Sequence, residues 1–445
     1  MRVAWHSPLP PARTGVAHYA SMVLPALQAA DSGQQTADIY HLGNNPFHEN
    51  IYRLAMERPG IVVLHDVVLH HLIVEMTLAR GDVEGYVAAL RASHGEAGEA
   101  WARGRAAGMH DEIGNFLLPA SIDIARRSQA VIVHNRWAAD LLLSFGVETP
   151  VHVVPHPYVH EDARRGVAVP DGRIIGLFGF LTAAKRADVV LEAFAKARAE
   201  DPSLTLLVVG DPAPNIDVDA MRRDGVVFTG YVPDEDFSSY YAAADRLVNL
   251  RYPSAGETSG TLIRALDAGK PVAVSDYAQF AEFPNDIVTK IPLGGDEVNM
   301  LTEFMLRGSV DPNRQREWLE SHCTIAHTIA GYLGVLNGTW PAENGRGVSR
   351  VVPLLPRLEL VGNDEASVTL RNTGDFTILT RVYGQPSYRL IANDRWIEFP
   401  SDLAPGDAIR IELPDMHGVV RLAHAVQGIP MLDAEPFAEV HLGPV

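Results

Sequence analysis

The chain has 445 residues, 47% of them hydrophobic and 21% charged, with 55 acidic against 37 basic residues for a formal net charge of −18. That length suggests two or three domains, the acidic balance excludes a phosphate-tracking nucleic-acid surface, and the want of a long apolar run excludes a transmembrane helix. A lone cysteine, Cys323, excludes an internal disulfide and a thiolate metal cluster and reads as a small buried hydrophobe.

The opening MRVAWHSPLPPARTG lacks a signal-peptide core and reads as a first strand running into a loop, so the expected location is cytoplasmic. From residue 2 to about 165, short apolar runs at 3–5, 61–64, 130–133 and 151–154 alternate with helical patterns, the rhythm of a parallel sheet with crossover helices. After a polar stretch the rhythm restarts, with runs at 174–179, 204–210, 226–228, 247–250 and 272–274. One amphipathic helical pattern follows, from about 313 to 336, and residues 337–356 carry Gly, Pro and Asn at linker density. Beyond 357 the period changes to two, in runs at 357–361, 366–371, 409–413 and 419–423 separated by turns, which predicts a small antiparallel β-sandwich. The predicted organisation is therefore an α/β unit over 1–165, a second over 166–336, a linker over 337–356 and an all-β unit over 357–445.

The segment RYPSAGETSGTLIRALDAGKPVAVSD, residues 251–276, holds the most chemistry. A strand gives way to a Gly-rich acidic loop, then a helix starting near Thr258, with Thr261, Leu262, Ala265, Leu266 and Ala268 at helical spacing before Gly269-Lys270-Pro271 stops it. The backbone amides of Thr258, Ser259 and Gly260 would open that helix, where partial positive charge favours a phosphate, and Gly260 carries no side chain to block approach. Glu257 offers an acceptor to sugar hydroxyls. An ordinary capped strand-to-helix turn explains the same residues, and the two readings stand side by side. His70 and His71, next to Asp66, invite a metal reading, but adjacent residues point to different helix faces, so no metal site is expected.

Several ordered pieces together resemble the family-4 retaining glycosyltransferases: the loop Pro11-Ala12-Arg13-Thr14-Gly15-Val16-Ala17-His18-Tyr19, the strand-end His65-Asp66, Val154-Pro155-His156-Pro157, Gly179 with Lys185, Val208-Val209-Gly210-Asp211, Val227-Phe228-Thr229-Gly230-Tyr231, Ala244-Asp245, and the segment 253–274. The resemblance covers residues 1 to about 336. It implies the GT-B fold: two Rossmann-like domains facing a cleft, with an acceptor-side domain first and a donor-side domain second. The all-β unit looks like an immunoglobulin-like accessory module.

The same resemblance implies roles. Catalytic positions fall on Lys185, Glu257 and His65. A donor diphosphate would meet Gly15, Lys185, Arg186, Arg251, Thr258, Ser259 and Gly260; the donor sugar Glu257, His65 and Asp66; the nucleotide Gly230, Tyr231 and Arg264. Two positions depart from the family's pattern. Phe180 stands where an arginine is usual, with Arg251 as the expected substitute, and Arg264 stands where the second of two glutamates is usual, with an i,i+3 pairing to Asp267 expected instead.

The implied reaction is transfer of a hexose, with retention, from a UDP- or GDP-type sugar to a glycan, lipid-linked or small-molecule acceptor, serving cell-surface polysaccharide or glycoconjugate synthesis. No cofactor and no metal are expected. Peripheral contact with the inner membrane face and a homodimer through the all-β unit are left open as partner readings. Competing readings are a catalytically degenerate glycan-binding or scaffold protein of the same fold, and a nucleotide-sugar epimerase.

Overall fold

The computed structural model describes residues 2–12, 14–30, 36–108, 114–160, 162, 166–214, 216–294, 296–343, 357–374, 378, 380–382, 385–386, 388–393, 395–426, 429–430 and 436–443. The predicted apolar runs become strands, because a parallel strand buried on both faces needs an almost unbroken apolar sequence. Strands β1 (Arg2–His6), β2 (Thr36–Leu42), β3 (Ile61–Leu64), β4 (Ala130–Val133) and β5 (Val151–Val153) form one parallel sheet in the order β1-β2-β3-β4-β5. Strand β2 escaped the pattern reading because Asp38 and His41 interrupt its apolar run.

Helices cover both faces of that sheet. Tyr40, Leu42, Val62, Leu64, Val131 and Val133 pack under the connections that carry Tyr52, Leu72, Tyr86 and Leu142. Ile39, Val63 and Ile132 pack on the other face under the helix Gly15–Ala30 and under a distant helix, Ile325–Leu336. The single amphipathic helix expected over 313–336 is thus two, Pro312–His322 and Ile325–Leu336. Thr324 separates them by capping the second, its Oγ1 accepting from His327 N at 3.3 Å, while Tyr158 N binds the Cys323 carbonyl at the joint.

This last helix, expected with the second unit, crosses back to the first. Tyr332 and Tyr19 share a buried hydroxyl–hydroxyl hydrogen bond of 2.9 Å, and a Cβ on Gly331 would lie only 2.6 Å from Val154 Cγ1. The chain continues along β5, where Trp340 Nε1 donates to Val153 O at 3.0 Å and Glu343 N to Val151 O at 2.8 Å. Residues 344–356, the rest of the expected linker, lie outside the described residues.

Strands β6 (Arg173–Phe178), β7 (Leu204–Val209), β8 (Val226–Phe228), β9 (Arg246–Asn249), β10 (Val272–Ser275) and β11 (Thr289–Ile291) make the second parallel sheet, ordered β11-β10-β9-β6-β7-β8. From β6 the chain proceeds outward through β7 to β8, then returns to β9 on the other side and proceeds to β11. Connections leaving β6 and β9 therefore diverge, and an open crevice forms at the carboxyl ends of this pair, where α/β sheets bind ligands. Two Rossmann-like lobes facing a cleft, the GT-B arrangement, are thus in place. Among the described residues three antiparallel sheets follow: a short pairing of Arg381–Val382 with Gln385–Pro386, and two larger sheets, built on Ser367–Asn372 and on Tyr388–Ala392 with Gly418–Val426, which share a core of Val368, Leu370, Leu390, Val420 and Leu422. Among the described residues, no helix is long and apolar enough to cross a membrane.

Candidate active site

The crevice is built by the loops leaving β6 and β9. After β6, Gly179 adopts φ +86°, and a 3-10 turn, Ala183–Lys185, precedes the helix Ala187–Glu200. Lys185 folds back onto its own strand: its side chain is buried, Nζ donates to Phe178 O at 2.5 Å, and Nζ would lie 3.5 Å from a Cβ on Gly179. After β9, Tyr252 N donates to Ala184 O at 2.8 Å, which lays the two loops side by side. Burial, then the charge of Arg251, lowers the Lys185 ammonium to about 7, against the pull of Glu257. An ammonium held there is poised to be recharged by an anion.

Arg251 and Glu257 face each other, with Nε 2.7 Å from Oε1. The contact is close but badly angled, for Arg251 Nε is a buried donor that makes no hydrogen bond. The other carboxylate oxygen of Glu257 accepts from Ala255 N at 3.0 Å and from Ser254 Oγ at 3.3 Å. The helix Gly260–Asp267 begins two residues later than Thr258, the start the spacing suggested, with Ser259 as its cap accepting from Leu262 N at 3.2 Å. Asn249, at the end of β9, accepts from the hydroxyls of Ser259 at 3.3 Å and Thr261 at 2.9 Å, while its own amide nitrogen is buried with no partner. A buried donor without an acceptor costs roughly 1–3 kcal/mol, so the Asn249 amide beside a helix N-terminus is suited to an anion. Sequence reading missed Asn249, which looks like the polar end of an apolar run.

Gly15 and Gly260, each at the start of a helix on opposite lobes, would have nothing within 4 Å of an added Cβ. One turn into each helix, Arg264 Nη2 and His18 Nε2 lie 3.2 Å apart, so the two helix starts approach across the cleft. Arg264 also stacks over Phe237 at 5.7 Å, and Asp267, its expected partner, accepts from His160 Nδ1 at 2.7 Å. Thr258 Oγ1 receives Asn135 Nδ2 of the first lobe at 3.4 Å. Gly230, at φ +67°, accepts from Gly210 N beyond the end of β8, and the following Tyr231 exposes half its ring, as does Phe180 after β6.

Arg186 departs from the expected diphosphate role. Its side chain turns away into a buried ion pair with Glu297, Nη2 to Oε2 at 2.5 Å, at the start of the helix Glu297–Arg307. That pair joins two helices and leaves Lys185 and Arg251 as the cations of the crevice loops.

The first-lobe wall is a chain of histidines. His134 Nδ1 lies 2.9 Å from Val154 O, an acceptor, so that nitrogen carries the proton and Nε2 is bare. His65 Nδ1 must then donate to His134 Nε2, at 3.3 Å, and His41 Nδ1 to His65 Nε2, at 3.0 Å. Burial, then the neighbouring histidines, pushes His65 and His41 well below the ordinary imidazole range. This corrects the expected sugar contact of His65, since both of its ring nitrogens are engaged inside the wall. His70 is likewise occupied, by Leu118 O at 2.5 Å and Tyr86 Oη at 2.6 Å.

Asp66, the next residue, does face the second lobe. Its Oδ2 accepts from Asn44 N at 2.7 Å, and burial followed by the charge of Glu257 raises its carboxyl to about 7. Asp66, Glu257, Arg251 and Lys185 thus form one electrostatic group spanning the cleft.

Comparison with known proteins finds a similarity that falls in the second lobe. Residues 172–307 match the family described as glycosyl transferases group 1. That match lies within the second lobe and covers less than half of the chain. The chain is 26% identical over 190 residues to 2-deoxystreptamine glucosyltransferase of Streptomyces kanamyceticus, covering 39% of this chain and 48% of that protein. It is 26% identical over 166 residues to alpha-monoglucosyldiacylglycerol synthase of Streptococcus pneumoniae (strain ATCC BAA-255 / R6), covering 32% and 36%. The chain spans about half the length, or less, of these curated relatives. Among solved structures, Anabaena HepE in complex with UDP and glucose is similar at 14% identity and a TM-score of 0.47, over 74% of this chain and 84% of that one.

Proposed function

We propose that the protein is a retaining glycosyltransferase that moves a hexose from a UDP- or GDP-type sugar to a glycan, lipid-linked or small-molecule acceptor. The observation carrying this reading is the crevice between β6 and β9, where two cations, the unpartnered amide of Asn249 and a helix N-terminus converge beside Glu257. The diphosphate lies against Lys185, Arg251 and the amides at Gly260, with Gly15 approaching from the first lobe. On binding, Arg251 exchanges the Glu257 carboxylate for a phosphate oxygen, which frees Glu257 for the sugar hydroxyls; Asp66 closes the sugar side. Tyr231 and Phe180 offer exposed rings to the base.

As the bond between the anomeric carbon and the diphosphate oxygen breaks, positive charge builds on the sugar and negative charge on the leaving group. The cations and amides stabilise the latter, and because they are fixed before the reaction they need no reorganisation. The acceptor hydroxyl enters on the same face and its proton passes to the departing phosphate, so no side-chain nucleophile and no metal take part. Polysaccharide or glycoconjugate synthesis at the cytoplasmic membrane face is the setting this chemistry suits, with the all-β unit handling acceptor or dimer contacts.

A thermal-shift panel of nucleoside diphosphates and their sugars tests the reading, because a ligand that binds only the folded state adds about 2.7 kcal/mol at a hundred times its Kd. Stabilisation by UDP or GDP, with donor hydrolysis lost in Glu257→Ala, supports it. A wild type that is shifted by none of these ligands, or a Glu257→Ala variant that hydrolyses donor normally, overturns it.

A further inference from the structure

The Glu257 turn is not held by its own lobe alone. Ala255 O accepts from both Val67 N at 2.8 Å and Val68 N at 3.1 Å, the two amides that follow Asp66 on the first lobe. Gly256 O accepts from Asn135 Nδ2 at 2.8 Å, and a Cβ on Gly256 would lie 2.5 Å from Val67 Cγ1 and 3.0 Å from Trp137. The first lobe therefore touches the backbone of the two residues that lead into Glu257, and Asn135 reaches the Thr258 hydroxyl just after it.

Asn135 has a second task. Its Oδ1 accepts from Ala138 N at 2.8 Å, capping the first-lobe helix Arg136–Ser144. The remaining leading amides of that helix are capped from the other lobe: Glu282 Oε1 accepts from Trp137 N at 2.6 Å and Oε2 from Arg136 N at 3.1 Å. A carboxylate at a helix N-terminus gains from both the orphan amides and the helix dipole. Glu282 sits in the 3-10 helix Ala278–Glu282, and so does Gln279, whose Nε2 donates to Glu257 O at 2.8 Å while its Oε1 accepts from Ser254 Oγ at 2.8 Å. The contacts close a ring: the helix start binds Glu282, the turn bearing Glu282 and Gln279 binds Glu257, the Glu257 turn binds Asn135, and Asn135 caps the helix.

We propose that Glu282 is a positioning residue which docks the second lobe on the Arg136–Ser144 helix and thereby fixes the Glu257 turn in the closed cleft. This rests on the transferase reading for its kinetic consequence but not for its structural one. Glu282 touches no substrate; it acts through Gln279 and Asn135. Its bond is the charged member of the ring, so salt weakens it more than the neutral bonds beside it.

The test compares wild type with Glu282→Gln, which keeps the shape and loses the charge, and with Glu282→Asp, which keeps the charge. Amide exchange is read over residues 135–140 and 254–259, with donor kinetics in parallel. In Glu282→Gln, exchange at both segments should rise together by at least tenfold and kcat should fall by about tenfold, with donor KM changed less than threefold and Glu282→Asp partly restoring both. One molar salt should raise amide exchange at both segments in wild type toward that of Glu282→Gln while changing the variant's exchange less. Unchanged exchange at both segments in Glu282→Gln overturns the proposal, whether or not transfer is ever detected. Faster exchange with wild-type kcat also overturns it, because the turn would then be fixed by other means.

Discussion

The two walls of the cleft hold their polar groups by opposite means. On the second lobe, Lys185, Arg251 and Glu257 are charged groups carried by loops, partly paired with one another and with the unmatched Asn249 amide among them. On the first lobe, His41, His65 and His134 are neutral, buried and joined in one directed chain ending on Val154 O. One wall is left incomplete for a ligand; the other is complete without one. The difference teaches that a histidine at a cleft is not thereby a substrate contact: what counts is whether a ring nitrogen remains unclaimed.

If the charged wall does the chemistry, removing Lys185 should do the greatest harm. Lys185→Ala is expected to lower kcat/KM for donor by about 10²–10³-fold, the usual cost of losing one fixed charge-stabilising donor, with the thermal midpoint largely kept. Steady-state kinetics beside a melting curve checks this, and a loss under fivefold would place the diphosphate elsewhere. Next comes the seam between the walls. Gly256 sits at φ +78° against Val67, so Gly256→Ala both strains the backbone and pushes the lobes apart, and kcat should fall by up to about 10²-fold through misplacement of Glu257. Wild-type kcat in that variant would mean that the lobes need not touch here.

The smallest effect concerns the neutral wall and appears in stability. Burial holds His48 and His134 at about 4 and His156 at about 3, against 6.5 when exposed. Between pH 6.5 and 4 the unfolded chain binds protons that the folded chain refuses, so their contribution is whole above 6.5 and is lost as the pH falls toward 4. Asp66, raised to about 7, works the other way over the same window, but it is one group against several. The urea midpoint should therefore fall steadily from pH 6.5 to 4.5; a flat profile would contradict the buried-neutral assignment.

How far these walls could be read from sequence follows the same contrast. The charged loops are local: Gly179 with Lys185, and Arg251 through Gly260, each announce themselves within a few residues at a strand end. The strands were legible for the same reason, as unbroken apolar runs, apart from β2 with its Asp38 and His41 and the three-residue β11. The histidine chain draws on residues from 41 to 154, and no local pattern marks which of them meet. Arg186 misled because its charge lies next to Lys185 in sequence, yet its left-handed backbone at φ +57° sends the side chain to Glu297. Glu282 and Asn135 were invisible as partners, since their bond exists only when the lobes meet.

The grip of Lys185 on a diphosphate is the central claim, and calorimetry of UDP or GDP binding at pH 8, in two buffers of different ionisation enthalpy, tests it most directly. Free Lys185, at about 7, is mostly neutral at that pH, so an anion that binds against it must recharge it. The account predicts uptake of nearly one proton per nucleotide bound, abolished in Lys185→Met. Binding heats that do not depend on the buffer in wild type would contradict it.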